Sequence, residues 1–242
     1  MKILIPTAKE LNKKAIPHKK ISLSDKSMEI VSEIAKLSVE DLAKAYKIKD
    51  EKAVEEFSRW EKINNKTAKS YKALDLFNGL MYRNIDRDNF DEADKEYIEK
   101  NVFITTSLYG IIGAYDLIQE HRLDFLQNVK ISGKSLKNFW RASYDESIED
   151  EDFVVSLLSS EFEEVFSKNQ KEKFIKISFM EEKEGKLKVH STISKKARGK
   201  FLTELIKNKV SSVEEMKKIK FDGFEFSKEH SEEKVLAFIA KR

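Results

Sequence analysis

The segment Ser194-Lys195-Lys196-Ala197-Arg198-Gly199 carries the strongest chemical signal in this sequence, because it places three fixed cations within four residues. A surface that serves only solubility disperses its charges, whereas this cluster concentrates positive potential. The cations follow a predicted strand and open a predicted helix. Cations are unfavourable at a helix N-terminus unless an anion offsets the repulsion. We therefore predict that Lys195, Lys196 and Arg198 bind an anion.

A carboxylate occupies a second position that suits chemistry. Glu161 lies in the run Ser159-Ser160-Glu161-Phe162, directly after the predicted buried strand Phe153–Leu158. Sites in α/β proteins often lie just beyond the carboxyl ends of strands, where Glu161 could act as a general base. An acid at this place also favours the first turn of a following helix, which is the commoner role. Both interpretations stay open.

A glycine-containing stretch in the middle of the chain is a third candidate. The run Ser107–Gly113 is followed by Asp116 and Arg122, and Gly110 and Gly113 permit a tight turn or a close backbone approach. The run is not a phosphate-binding loop, because the final Gly-Lys-Ser/Thr is missing. The spacing favours a strand-to-helix turn with a buried ion pair between Asp116 and Arg122.

Residues 37–60 predict two helices, Val39–Ala45 and Asp50–Trp60, joined by the short connection Tyr46–Lys49. Such a hairpin can present backbone N–H groups and lysines to successive phosphates, as helix-hairpin-helix modules do. Those modules usually contain glycine in the turn, and this one has none. Spacing alone therefore favours an ordinary helical hairpin with a solvated face. The basic side chains on this unit are Lys44, Lys47, Lys49, Lys52 and Arg59.

The elements that position these groups alternate without a regular βα period, which favours a mixed α/β fold over a simple Rossmann sheet. With two prolines and seven glycines the chain offers few linkers, so we expect one domain over residues 1–242. Predicted strands are Lys2–Ile5, Val102–Thr106, Phe153–Leu158, Phe174–Met180 and Lys186–Ile193, the last two joined by a Glu184-Gly185 turn. Further predicted helical segments are 27–45, with an N-cap signal at Ser38, and Ala68–Leu80, Phe90–Glu99, Ala197–Lys207 and Ser212–Lys218.

Charge is distributed unevenly along the chain, although the formal net charge is only +3. Residues 1–72 hold 17 basic and 11 acidic side chains, residues 73–182 hold 13 and 23, and residues 183–220 hold 12 and 4. If the fold joins the two basic blocks, the molecule has a basic face.

Several classes of function are excluded by composition. The sequence has no cysteine, which rules out disulfides, zinc–thiolate sites, iron–sulfur clusters and thiol catalysis. The four histidines lack metal-ligand spacing, so we expect no metal and no cofactor. No apolar run is long enough for a membrane span or a signal peptide. We expect a cytoplasmic monomer that does not associate with membranes.

Taken together, the motifs resemble those of the YaaA family, the bacterial peroxide stress proteins. The similar segments, in the family's order, are Pro6-Thr7-Ala8-Lys9-Glu10, Phe77-Asn78-Gly79-Leu80-Met81-Tyr82, Thr106-Ser107-Leu108-Tyr109-Gly110 with Asp116 and His121-Arg122-Leu123, Ser156-Leu157-Leu158-Ser159-Ser160-Glu161-Phe162, Lys195-Lys196-Ala197-Arg198-Gly199, and Gly223-Phe224-Glu225-Phe226. The chain departs from the family pattern at Glu10, where Thr is usual, at His121 and Phe162 (Tyr), at Ser156 (Asn) and at Leu158 (Ala).

The resemblance implies a compact mixed α/β domain with a positively charged cleft and a helix-hairpin-helix-like element, which would fall on residues 37–60. It also implies a link to hydrogen peroxide stress, to limiting free iron and DNA damage, and to binding of duplex and branched DNA. No enzymatic reaction is securely assigned to the family.

We therefore expect a stress protein that binds DNA by its structure more than by its sequence and protects it under peroxide. The hairpin cations would contact phosphates, and the cleft would be lined by Lys9, Arg122, Ser159, Lys195, Lys196 and Arg198. The alternative is an enzyme that acts on a nucleotide or a damaged base in the same cleft. Its candidate groups are Glu161 or Asp116 for acid–base chemistry, and Tyr82 or Tyr109 for stacking or proton donation. An iron-binding or iron-chaperoning protein is the least favoured hypothesis.

Overall fold

A mixed nine-stranded sheet forms the centre of the fold, in a computed structural model that describes residues 1–242. The strands are β1 (Lys2–Pro6), β2 (Ser70–Lys72), β3 (Val102–Thr106), β4 (Gly110–Gly113), β5 (Leu117–Gln119), β6 (Lys130–Ile131), β7 (Lys134–Ser135), β8 (Val154–Ser156), β9 (Phe174–Lys183), β10 (Lys186–Lys188), β11 (Lys220–Phe221), β12 (Phe224–Phe226) and β13 (Val235–Lys241). The helices are α1 (Asp25–Ile34), α2 (Val39–Tyr46), α3 (Asp50–Asn64), α4 (Ala73–Leu76), α5 (Glu92–Asn101), α6 (Leu136–Glu146), α7 (Ser160–Glu163), α8 (Lys168–Lys171), α9 (Ser191–Lys207) and α10 (Val213–Met216). These elements confirm the predicted mixed α/β class.

Five parallel strands form the middle of the sheet in the order β3-β1-β8-β9-β13. Antiparallel strands complete both edges, with β4 beside β3, and with β12 and then β11 beyond β13. The short β10 pairs with the far end of β9, while β2–β5 and β6–β7 form two separate ladders. From β1 the chain first adds β3 on one side and later adds β8, β9 and β13 on the other. The strand order therefore reverses between β1 and β8, and such a switch point leaves a crevice beyond the carboxyl ends of the two strands.

Helices cover both faces of the sheet. Alternate residues of β1 show this, because Ile3 and Ile5 pack in one apolar cluster while Leu4 packs in the other. The first cluster includes α5 and α9, and the second includes α1, the α2–α3 pair and α6. A parallel strand that is covered on both sides reads as a continuous apolar run, as β1 does. The crevice at the switch point thus lies between two helical layers.

The predicted helical hairpin is confirmed as α2 and α3, although its use as a DNA-binding module stays a prediction. Ser38 caps α2, since its hydroxyl accepts the N–H of Asp41 at 3.1 Å. Lys47 follows α2 with a φ of +51°, the left-handed conformation that glycine usually supplies at a helix C-terminus. The turn therefore closes without glycine, with Lys47 carrying the backbone strain.

Two predicted elements are wrong. Only residues 73–76 of the predicted helix Ala68–Leu80 are helical, because residues 70–72 pair with β5 and the N–H of Ala73 bonds to the carbonyl of Asp116. Long-range pairing overrides helix propensity there. The predicted strand Lys186–Ile193 ends at Lys188, and α9 begins at Ser191. Lys195 and Lys196 therefore lie in the second turn of α9 rather than at its N-terminus, so the dipole argument for an anion does not apply to them.

None of the ten helices is long and apolar enough to cross a membrane.

Candidate functional site

A cleft of about 690 Å³ opens beyond the carboxyl ends of β1 and β8, at the switch point of the sheet. Its walls are the segment 6–10 after β1, the loop 79–83, residues 159–164 after β8, and one face of α9. This volume is in the range of small-molecule sites in proteins. The predicted site residues that line it are Lys9, Tyr82, Ser159, Glu161, Lys195 and Arg198.

The charge of the lining is mixed rather than uniformly positive. Its cations are Lys9, Arg83, Lys195 and Arg198, and its acids are Glu10, Asp124, Glu161 and Glu164. Ion pairs join Arg83 to Glu10 at 2.5 Å and Lys9 to Asp124 at 3.1 Å. Glu10 is thus neutralised by Arg83 at the cleft. Neither Lys195 nor Arg198 has such a partner.

Helical periodicity decides which cations of α9 face the cleft. Thr192, Lys195 and Arg198 are spaced three residues apart and therefore lie on one face, which lines the cleft. Lys196 is exposed outside the cleft, and Lys200, one turn later, pairs with Asp222 at 2.6 Å. The prediction that Lys196 lines the cleft is wrong, because it assumed that the cations precede the regular helix.

Two glycines bring the cleft walls together. A Cβ atom on Gly199 would lie 2.2 Å from the carbonyl oxygen of Met81, so only glycine allows α9 to touch the loop 79–83 at this point. A Cβ on Gly79 would lie 2.8 Å from the Cβ of Ala8. Arg198 therefore lies directly beside Gly199, whose close contact with Met81 positions α9 at the cleft.

Arg198 is largely buried and forms no hydrogen bond or ion pair within the protein. Its Nε atom is inaccessible and unpartnered, and burial lowers the pKa of the guanidinium. Arg198 lines both the cleft and a second cavity of about 270 Å³, whose lining includes Ser156, Glu163 and Lys176. Glu163 is already occupied there, by the Ser156 hydroxyl at 2.7 Å and by Lys176 at 2.6 Å. A buried guanidinium in this state lacks the partner that such groups ordinarily have.

Glu161 lies in the cleft wall after β8, and one of its carboxylate oxygens has no protein partner. One oxygen, Oε1, accepts the N–H of Phe125 at 3.0 Å, and Oε2 has no protein partner. Burial, together with the neighbouring charge of Asp124, raises the pKa of Glu161. Asp124 itself is saturated, since its oxygens bind Lys9 and the N–H of Leu126 at 3.0 Å. Chemically, Glu161 can accept a hydrogen bond or exchange a proton, and the charge of Asp124 helps to raise its pKa.

The other candidate acid–base groups are structural. Tyr82 lies at the cleft, but its hydroxyl donates to the carbonyl of Pro6 at 2.8 Å, and burial raises its pKa. Tyr109 is outside the cleft, where its hydroxyl accepts the N–H of Gln119 at 2.9 Å. Asp116 is exposed and accepts the N–H of Gly113 at 2.8 Å, closing the turn that leads from β4 to β5. The predicted strand-to-helix turn with an ion pair between Asp116 and Arg122 is therefore wrong, because the segment forms β4 and leads into β5.

Arg122 is not part of the cleft lining. Its Nε is buried without a partner. Burial raises the pKa of the nearby Glu56 carboxyl, and the charges of Arg59 and Arg122 partly oppose that shift. The adjacent His121 bonds through Nδ1 to the carbonyl of Gln119 at 2.8 Å, and burial lowers its pKa to about 4. His121 is thus neutral and structural at physiological pH.

The hairpin cations differ in their availability. Lys44, Lys47 and Lys49 are exposed and form no ion pair, whereas Lys52 pairs with Glu55 at 3.2 Å. Arg59 is mostly buried and already contacts three glutamates, Glu55, Glu56 and Glu120. The hairpin adjoins the cleft through the loop 124–128, because the N–H of Asn128 bonds to the carbonyl of Ala45 at 3.3 Å.

The fold and this site define a mixed α/β protein with a ligand-sized cleft at the switch point of a parallel sheet. More particularly, the chain belongs to the family described as peroxide stress protein YaaA, whose family model matches residues 1–230. It is similar to the UPF0246 protein of Streptococcus gordonii strain Challis, with 48% identity over 241 residues that cover 100% of this chain and 99% of the relative. The UPF0246 proteins of Streptococcus pneumoniae strains P1031 and D39 are 47% and 48% identical over 239 residues, each covering 99% of both chains.

Proposed function

We propose that this member of the peroxide stress family acts by binding DNA, through unpaired lysines of the helical hairpin and cations of the adjacent cleft. Family membership supports the role in peroxide stress. The observation that carries the DNA proposal is that Lys44, Lys47 and Lys49 are all exposed and unpaired at one end of the hairpin.

The close spacing of these lysines supports the proposal more than their lack of partners does, because only 12 of the 39 lysines in the chain form an ion pair. Lys36, Lys52, Lys95 and Lys217 each pair with a glutamate three residues away. The three hairpin lysines lie within six residues and lack such partners. A concentrated, unneutralised set of ammonium groups favours a polyanion, and contacts to phosphates carry no sequence information.

The geometry favours side-chain contacts over backbone contacts at this hairpin. Asp50 and Glu51 occupy the first turn of α3, and their carboxylates repel a phosphate from the N–H groups there. We leave Arg59 out of the proposed interface, since a phosphate would have to displace its glutamates.

The proposal is tested by fluorescence anisotropy with duplex and four-way-junction DNA at about 50 and about 200 mM salt. The variant Lys47→Glu/Lys49→Glu should bind more weakly, and the slope of log affinity against log salt should become shallower by about 1.8, or 0.9 for each lost phosphate contact. Lys100→Glu/Lys168→Glu is the matched control, because it makes the same charge change at exposed, unpaired lysines elsewhere. Equal effects of the two double variants, or affinity that salt does not change, would contradict the hairpin interface.

An enzyme that acts on a nucleotide or a damaged base is the second candidate function. The specific observation in its favour is Glu161, a partly buried carboxyl with one free oxygen in the cleft. Glu161→Gln with unchanged DNA affinity but lost turnover would support it.

A further inference from the structure

The cleft has two chemically different ends. The α9 face presents Lys195 and Arg198 without anionic partners, and the wall after β8 presents Glu161 with one free oxygen. No ion pair joins the two sides, although all three side chains line the same space. A ligand that satisfies both ends must carry an anionic group together with a hydrogen-bond donor.

Arg198 specifies the anionic end. The Nε of Arg198 has lost water without gaining a protein hydrogen bond, which is costly, and the terminal N–H groups have no protein partner that would compete with a ligand. The planar array of N–H donors on a guanidinium fits a phosphate with two parallel hydrogen bonds. Lys195 adds a second positive charge from the same face of α9. Ser159 supplies a hydroxyl at the cleft that does not cap α7.

The rest of the cleft is too large and too apolar for a phosphate alone. About 690 Å³ suits a ligand of nucleotide size, and the lining includes Pro6, Ala8, Leu80 and Leu126. Leu126 is 63% exposed at the cleft and offers an apolar surface there. Such a surface can pack against the face of a flat ring. The free carboxylate oxygen of Glu161 can accept an N–H of the same ring, as carboxylates do with the amino group of cytosine.

We propose that the cleft binds one nucleotide unit, with Arg198 and Lys195 holding its phosphate and Glu161 accepting an N–H of its base. This inference deepens the proposed function, on whose cleft cations it rests, and it does not require the hairpin lysines. The nucleotide can be a free monophosphate or a terminal unit of a DNA strand, since both present the same phosphoryl group and base. The location agrees with the general rule that α/β sheets bind ligands at the switch point.

The test is isothermal titration calorimetry of the full chain with dAMP, deoxyadenosine, deoxyribose 5-phosphate and inorganic phosphate. We expect dAMP to bind more tightly than each of the other three, by roughly tenfold or more, because each lacks one end of the ligand. Inorganic phosphate binding as tightly as dAMP would overturn the nucleotide proposal. So would the absence of any dAMP binding.

Variants assign the two ends. Arg198→Gln should weaken dAMP at least about tenfold, the effect of one charge-assisted contact. Lys196 lies in the same helix but outside the cleft, so the dAMP affinity of Lys196→Gln should stay within about twofold of the parent. Lys195→Gln tests the same end at an exposed position, in case Arg198→Gln disturbs packing. Glu161→Gln should reduce the preference for dAMP over deoxyribose 5-phosphate. Unchanged dAMP affinity in both Lys195→Gln and Arg198→Gln would overturn the assignment.

A 5′-phosphorylated and an unphosphorylated single strand separate the two sources of the nucleotide. Tighter binding of the phosphorylated strand assigns a strand end to the site, and equal binding of both assigns the free monophosphate. Lys47→Glu/Lys49→Glu should lose duplex affinity but keep dAMP affinity. If the protein binds duplex DNA but not dAMP, the cleft proposal alone is overturned. If the hairpin variant keeps its duplex affinity, only the proposed hairpin interface is overturned.

Discussion

At single residues, structural polar groups have hydrogen-bond partners within the protein, whereas candidate functional groups lack some of theirs. Tyr82 and His121 are buried, yet each has its polar atom bonded to a backbone carbonyl. Arg198 and Glu161 are also removed from much of the solvent, but part of their hydrogen-bonding capacity is unused. Because unmatched polar groups lower stability, their presence in a cleft indicates a site kept for a ligand.

We predict that Glu161→Gln raises thermal stability at pH 7. The pKa of Glu161 is raised mainly by burial, so the folded state binds its proton more strongly than the unfolded state does. Ionisation above the folded pKa therefore costs stability, and the cost disappears as the pH falls below the ordinary value of 4.5. The melting temperature should rise by about 1–2 °C at pH 7, since partial exposure reduces the effect. The gain should vanish near pH 4.

Glu164→Gln is the matched control in the same cleft wall. Its carboxylate binds Lys137, and this hydrogen bond lowers the pKa of Glu164. Removing that charge should leave the melting temperature unchanged or lower it. A fall in stability of Glu161→Gln at pH 7 would show that the Phe125 N–H requires the ionised group.

The helices and strands with local signals could be predicted from sequence, and those set by distant contacts could not. Ser38 and Ser212 cap the helices that their spacing predicts, and Glu184-Gly185 forms the predicted turn with both residues at positive φ. The start of α9 was missed because His190, which precedes it, makes no side-chain cap. The segment 68–80 was missed because β5, its pairing partner, lies more than forty residues later.

Part of the site was predictable because some of its residues are neighbours in the sequence. Lys195 and Arg198 belong to a local cluster and were found, but the face on which Lys196 lies depends on where α9 begins. Asp124 was not identified, although a lone acid within an apolar run after Arg122 is a signal for a paired carboxylate. Its partner, Lys9, is remote in sequence, so only the fold brings the two together.

At the scale of the elements, we predict that Gly199→Ala destabilises the protein although alanine is the better helix former. Alanine gains about 1 kcal/mol of helix propensity over glycine. Its methyl group, however, would lie 2.2 Å from the Met81 carbonyl oxygen, so α9 or the loop 79–83 must move. Overpacking of this kind costs about 1–3 kcal/mol beyond any gain. Urea unfolding should show the loss, together with weaker binding at the cleft.

Lys196→Ala is the control within the same helix. This side chain is exposed and contributes nothing to the contact between α9 and the loop. Its stability should stay within about 0.5 kcal/mol of the parent. If Gly199→Ala were equally harmless, the close approach of α9 would not be what positions Arg198.

Across the whole molecule, the hairpin and α9 cover opposite faces of the sheet, and the cleft opens at the sheet edge between them. One DNA molecule that contacts both the hairpin and α9 must therefore pass over the carboxyl ends of the parallel strands.

This arrangement predicts that the two sets of cations act additively on long DNA and separately on short DNA. Neutralising Lys47 and Lys49 to Gln, and Lys195 and Arg198 to Gln, should each reduce the salt slope by about 1.8, and the combined variant by about 3.6. Additivity is expected because the sets share no contacts. On a duplex shorter than one turn, about 10 base pairs, we expect one set to engage at a time, so each double variant should keep binding through its intact set and only the combined variant should lose it. Additive slopes on the short duplex would place both sets in a single local contact, and a combined effect no larger than one double variant on long DNA would show that a bound duplex does not cross the cleft.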